Sequence, residues 1–252
     1  MALTPNRPMD MKTDNTLFSP LRRLRKLVLG VVSPARCVSC HARLAEGEEV
    51  FCMQCNAGIE RTGDGFSPCD NSTVRLMWGK LAVERGASFM SYSPHAEGSD
   101  AIYAIKYGSQ PAVGVKLGEL MAREYMPAGF FDGIDLILPM PLHPRRERKR
   151  GYNQSRELAV GLSRVTGIEV CDAGVLRRIR NTPSQTTVGH YNRMANVEGA
   201  FRLVRPEKVA GKHVLVVDDI ITTGASMYAC ASELLKAEGV RFSFLTVGRT
   251  EQ

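Results

Sequence analysis

Four apolar residues in a row, Val214 to Val217, lead into two acids, Asp218 and Asp219, and then into the small hydroxyl-rich run Thr222, Thr223, Gly224, Ala225 and Ser226. An unbroken apolar run of this length reads as a strand buried on both faces. Helical spacing follows over residues 227–238, with Leu234 and Leu235 inward and Gly239 as the stop. The same alternation is visible upstream. Residues 87–92 read as a strand, and 100–107 and 112–125 as helices with Ile102, Ile105, Val113, Leu117, Leu120 and Met121 in the core. Residues 134–138 form a second buried strand, stopped by Pro139 and Pro141. Residues 157–165 form a helix with Leu158, Leu162 and Val165 inward, ended by Gly167, and 168–171 a short strand. Strands alternating with helices predict an α/β fold, a mainly parallel sheet flanked by helices.

The chain has 252 residues, enough for one α/β domain of about 180 residues (71–252) and a smaller module ahead of it. Hydrophobic residues make up 44%, ordinary for a chain with a packed core. Residues 1–33 read as a polar tail, expected to be disordered, ending in a short amphipathic helix at 27–32 behind Arg22, Arg23, Arg25 and Lys26. That apolar run is too short for a signal peptide, and no stretch of some twenty apolar residues predicts a transmembrane segment. A cytoplasmic location follows as the expectation.

Residues 34–70 carry Cys37-x2-Cys40 and Cys52-x2-Cys55, separated by eleven residues. Each pair can grip one edge of a metal, and two pairs make a four-thiolate tetrahedron with no open position, a structural Zn²⁺ site. Four unpaired thiols are the alternative. Cys69 has no partner at that spacing and reads as a free thiol or a substitute ligand. Cys171 and Cys230 fall in apolar patterns, as small core residues do.

The net charge of +7 favours anionic partners without choosing among phosphates, nucleotides and nucleic acid. The densest basic stretch is Arg145, Arg146, Arg148, Lys149 and Arg150, interrupted only by Glu147. It reads as a loop leaving the carboxyl end of the 134–138 strand, the edge that also carries Asp218 and Asp219. Ligands of open α/β sheets bind outside the carboxyl ends of strands. A phosphate at 222–226 would meet amide groups and the positive end of a helix. The two acids are placed to accept hydrogen bonds from vicinal sugar hydroxyls, and guanidinium groups opposite suit a pyrophosphate.

The Asp-Asp-Ile-Ile-Thr-Thr-Gly-Ala-Ser run resembles the phosphoribosyl pyrophosphate (PRPP) motif of phosphoribosyltransferases. Beside it stand the cysteine pairs, Lys106-Tyr107-Gly108, Pro139-Met-Pro-Leu142, Arg150-Gly-Tyr-Asn-Gln154, Arg177 with Gln185, Arg193 and Asn196. Together they resemble the ComF family, phosphoribosyltransferase-like proteins associated with bacterial DNA uptake. The resemblance implies a phosphoribosyltransferase-like fold with an N-terminal zinc-ribbon-like module. It implies Asp218, Asp219 and Arg193 in the reacting centre and Thr222 to Ser226 on the 5-phosphate. It assigns the pyrophosphate with Mg²⁺ to Arg145, Arg146, Arg148, Lys149 and Arg150, and lid and orientation roles to Asn153, Gln185, Arg193 and Asn196. The implied partners are PRPP or a similar sugar phosphate, single-stranded DNA and the DNA-uptake machinery. Two functional classes stay open. One is a sugar-phosphate-binding protein that acts on transforming DNA. The other is an active transferase that passes ribose 5-phosphate to an unidentified nitrogen acceptor.

Overall fold

The computed structural model describes residues 35–94, 96–181 and 199–250. The expected tail and short helix over 1–33 lie outside them. Five strands form one sheet: β1 (Arg85–Tyr92), β2 (Leu136–Pro139), β3 (Glu169–Val170), β6 (His213–Ile221) and β7 (Arg241–Thr250), in the order β1-β7-β6-β2-β3. Every pairing within it is parallel, as the alternation of strands and helices requires. Two further short strands, β4 (Leu176–Arg178) and β5 (Phe201–Leu203), pair antiparallel with each other.

The central strand explains the two-sided core. Leu215 and Val217 join one apolar cluster while Val214 and Val216 join another. Successive strand side chains point to opposite faces, so an all-apolar run serves both. The first cluster includes Leu117, Met121, Leu158 and Leu162 from α3 (Pro111–Tyr125) and α5 (Gln154–Thr166). These helices touch closely because Gly118 and Gly161 meet at their crossing: a Cβ on either would collide with the main chain of the other helix. The second cluster packs α6 (Ala225–Leu234), the β4–β5 pair, Val74 and Met77 against the other face.

The cysteine-bearing segment does not stand apart. Cys37, Val50, Phe51 and Ile59 belong to the first cluster. Its α1 (Met53–Gly58) follows Cys52 directly. Glu49 pairs with Lys116 at 3.1 Å and Arg123 at 2.7 Å, both on α3. Arg61 pairs with Glu124 and lies 4.2 Å over the Phe89 ring. The domain and this segment share one core.

Beyond shifts of a few residues at other element ends, such as Pro139 closing β2 from within, three differences from expectation bear on the site. The basic run expected as a loop is a helix, α4 (Pro144–Arg150). It buries no face, so it leaves no apolar period; its signals are caps. The His143 side chain accepts from the Arg145 amide, Pro144 opens the helix, and Gly151 closes it with φ 89° and its N–H on the Glu147 carbonyl. The acid pair, expected just beyond its strand, lies inside β6, because β7 continues the ladder past it (Asp218 opposite Thr246, Ile220 opposite Gly248). The helix expected over 227–238 runs from Ala225 to Leu234, and its end tightens into i→i−3 bonds, Lys236 to Glu233 and Ala237 to Leu234.

Candidate functional site

The carboxyl edge of the sheet opens into a cavity of about 340 Å³ whose walls come from eight helices and strands and the loops between them. Its floor is the end of β6, with Asp218 and Asp219. Asp219 is buried and has a partner on each oxygen: Lys106 Nζ at 3.1 Å from Oδ1, and Gln154 Nε2 donating to Oδ2 at 2.8 Å. Asp218 Oδ1 accepts from Ser155 Oγ at 3.0 Å and from the Asp219 amide at 2.9 Å. Lys106 ends α2 (Ser99–Lys106), while Gln154 and Ser155 open α5. The two helix ends are tied, since the Tyr152 hydroxyl donates to the Ile105 carbonyl at 2.7 Å.

Opposite the acids stands a cationic wall. Arg146 and Arg150, four residues apart on α4, face the cavity with Arg178 of β4. Burial and then the neighbouring Arg150 push Arg146 below the usual guanidinium range; burial and then Arg146 do the same to Arg178. Guanidinium groups stay charged in proteins, so the physical content is crowding of like charge that an anion relieves. On the acid side, burial and then Asp219 push the Asp218 carboxyl well above its usual range. Four cations and two carboxylates therefore share one cavity.

The third wall is the loop between β6 and α6. Thr222, Gly224, Ala225 and Ser226 line the cavity. Gly224 has φ 76°, which favours glycine, and a Cβ there would collide with Met77. Thr223 turns away from the cavity lining, its Oγ1 buried and without a hydrogen-bond partner.

The helical form of α4 sorts the five basic residues. Arg146 and Arg150 face inward, while Arg145, Arg148 and Lys149 are exposed and do not line the cavity. Asn153 is also apart from it: its side chain caps α5 by accepting from the Ser155 amide at 3.1 Å and donates to the Met140 carbonyl at 3.1 Å. Gln185, Arg193 and Asn196 lie outside the described residues. Reading the sequence alone leaves Lys106, Gln154, Ser155, Tyr103 and Arg178 unassigned to the site. The local signals for them are the Lys106-Tyr107-Gly108 run and, for Gln154, the Arg150-Gly-Tyr-Asn-Gln154 run; the others are brought in by packing from distant elements.

At the other end of the chain, Cys37, Cys40, Cys52 and Cys55 place their sulfurs within 4.8 Å of one another. Cys40 and Cys52 are 3.6 Å apart, Sγ to Sγ. Zinc–thiolate bonds of about 2.3 Å in a tetrahedron set sulfurs about 3.8 Å apart, so the four fit a zinc ion. Cys69 is exposed and free, and Cys171 and Cys230 are buried. Among the described residues no helix is long and apolar enough to cross a membrane.

The phosphoribosyl transferase domain family matches residues 152–247. The DNA utilization protein YhgH of Escherichia coli K12 is 30% identical over 198 residues, 77% of this chain and 82% of that protein. Its Salmonella typhimurium counterpart is 31% identical over 213 residues, 81% and 92% of the two chains. Competence protein F of Haemophilus influenzae is 35% identical over 107 residues, 42% of this chain and 46% of that one. A solved glutamine PRPP amidotransferase from B. subtilis aligns at 20% identity with a TM-score of 0.37, over 57% of this chain and 30% of that one.

Proposed function

We infer, for a chain that belongs to the ComF family of phosphoribosyltransferase-like proteins, that its cavity binds PRPP or a related sugar phosphate with Mg²⁺, in the handling of single-stranded DNA during uptake. One observation carries this reading: an acid pair on the cavity floor faces Arg146, Arg150 and Arg178 across a space of about 340 Å³. Asp218 and Asp219 accept from the ribose hydroxyls. The 222–226 loop takes the 5-phosphate through its main chain with Thr222 and Ser226, and Arg146 and Arg150 take the pyrophosphate. Gln185, Arg193 and Asn196 belong to the covering lid in this reading. Mg²⁺, when bound with the ligand, screens the charge of the pyrophosphate. Zn²⁺ on the four cysteines is structural, fixing a segment that shares the core of the domain.

The test is thermal or chemical unfolding with PRPP and Mg²⁺. At a hundred times its Kd the ligand stabilises the protein by about 2.7 kcal/mol, and Asp219→Asn removes most of that gain. No shift in the parent protein overturns the sugar-phosphate reading. Transfer to an acceptor is a separate activity, read as pyrophosphate release with candidate nitrogen acceptors. For zinc, elemental analysis showing well under one metal per chain overturns the assignment.

A further inference from the structure

Two large aromatic rings stand in water at the rim of the cavity. Tyr107 is 65% exposed and Tyr103 39%. They are one helical turn apart at the end of α2, with ring centroids 6.0 Å apart and planes 33° from one another. The Arg150 guanidinium lies 6.0 Å over the Tyr107 ring, and Tyr103 lines the cavity wall with Tyr92. The pair therefore presents ring faces at the cavity rim. Exposed aromatic faces are what unpaired bases stack on.

The second observation is the three-way division of α4. At 100° per residue, Arg146 and Arg150 share the face turned to the cavity, and Glu147 lines a separate cavity beneath β4. Arg145, Arg148 and Lys149 fall on the remaining arc and are exposed. The PRPP reading has no use for that outer face, and a single small anion in the cavity cannot touch it. A chain of phosphates running past the cavity can. Arg150 joins the two features, with its neighbour Lys149 on the outer face and its own guanidinium over Tyr107.

We propose that Tyr103 and Tyr107, with the outward face of α4 (Arg145, Arg148 and Lys149), form a track for single-stranded DNA along the cavity rim. This rests on the DNA half of the function proposed above and names the surface that performs it. The tyrosines stack bases and the helix face contacts phosphates. A duplex, whose bases are already stacked on one another, cannot use the rings. The two contributions also differ in how salt affects them: phosphate contacts release counterions and stacking does not.

Fluorescence anisotropy of a labelled oligothymidylate, titrated with the full-length protein at several salt concentrations, tests the track. Replacing both rings, Tyr103→Ala with Tyr107→Ala, is expected to weaken binding roughly 5- to 150-fold for one stacked base and to leave the salt slope unchanged. Tyr103→Phe with Tyr107→Phe is expected to retain parent affinity, because the ring faces remain. Arg145→Ser with Arg148→Ser and Lys149→Ser is expected to flatten the log–log salt slope by about 2, at about 0.7 per lost single-strand contact. Unlabelled duplex should compete poorly. The track is overturned if the alanine pair binds like the parent, or if the phenylalanine pair is as weak as the alanine pair. Melting midpoints near that of the parent show that the variants are folded. A parent protein that binds no single strand overturns both the track and the DNA half of the proposed function. The PRPP shift is measured independently and stands or falls by itself.

Discussion

Strand β6 carries a buried polar cluster at each end, and the two clusters behave differently. At the amino end, His213 is buried, with Nε2 2.8 Å from Ser243 Oγ, Nδ1 3.1 Å from the Gly133 carbonyl, and its amide donating to Asp135 Oδ2 at 2.8 Å. At the carboxyl end, Asp218 and Asp219 are bonded just as fully, to Ser155, Gln154 and Lys106. Hydrogen-bond satisfaction therefore does not separate structure from function here. What separates them is the opening. The amino-end cluster is closed over by Ser243 and the turn at Gly133. The carboxyl-end acids face a cationic wall across a cavity that only the second cluster borders. Ligand sites in open α/β sheets lie at this same end.

The largest effect is expected where the carboxyl-end cluster is supported from behind. Gln154 and Ser155 reach the acids only because α5 lies hard against α3 at Gly118 and Gly161. A Cβ at Gly161 would collide with the carbonyl of Val115, a main-chain atom that cannot swing aside. Gly161→Ala is expected to destabilise the fold by about 3 kcal/mol, the upper end of ordinary overpacking, read as the shift in urea midpoint. It should also weaken PRPP binding, since the first turn of α5 moves with the helix. Full stability in that variant would show that the helices part without cost and that the acids do not depend on this crossing.

A smaller loss is expected at the closed end. His213→Ala removes a buried ring and leaves the Ser243 hydroxyl without its partner, a cost of about 2 kcal/mol. PRPP affinity should be unchanged, because the cluster and the cavity lie at opposite ends of a nine-residue strand. Lost affinity with intact stability would abolish the distinction between the two ends.

The carboxyl end was the more legible of the two in the sequence, and for a physical reason. Val214 to Ser226 is local: strand, acids, hydroxyl loop and helix follow one another, so their order alone indicates the chemistry. The four cysteines are nearly as local, two pairs at metal spacing. Helix α4 escaped because a helix that buries nothing leaves no apolar period, and seven residues with five positive charges look like a solvated loop. Lys106, Gln154 and Arg178 escaped because they reach the acids through tertiary packing. The β4–β5 pair joins strands of three residues each, too short for alternation to show, and far apart in the chain.

Per pH unit the last effect is the smallest, and it is the most specific, because the two ends of β6 should titrate with opposite sign. Burial, with Arg241 next, holds the His213 ring below the ordinary imidazole range. Below about pH 6.5 the unfolded chain therefore binds a proton that the folded chain refuses, and stability falls as pH falls. Burial, with Asp219 next, pushes Asp218 up to about 7, against Lys106 and Arg178, which favour the ionised form. Between roughly pH 4 and pH 7 the folded chain keeps a proton that the unfolded chain has released, so this contribution is present at low pH and lost as pH rises. Asp218→Asn removes the second trend and leaves the first. Its stability relative to the parent should climb with pH across that window, by at most about 1.4 kcal/mol per pH unit, the limit for one proton. Urea unfolding of both proteins from pH 4 to pH 8 reads the difference directly, and a flat difference would mean that Asp218 is ionised throughout. The same variant should bind PRPP poorly. Holding a half-buried carboxyl next to a second one lowers the stability of the unliganded protein near neutral pH, and that loss marks the carboxyl end as the one arranged for a ligand.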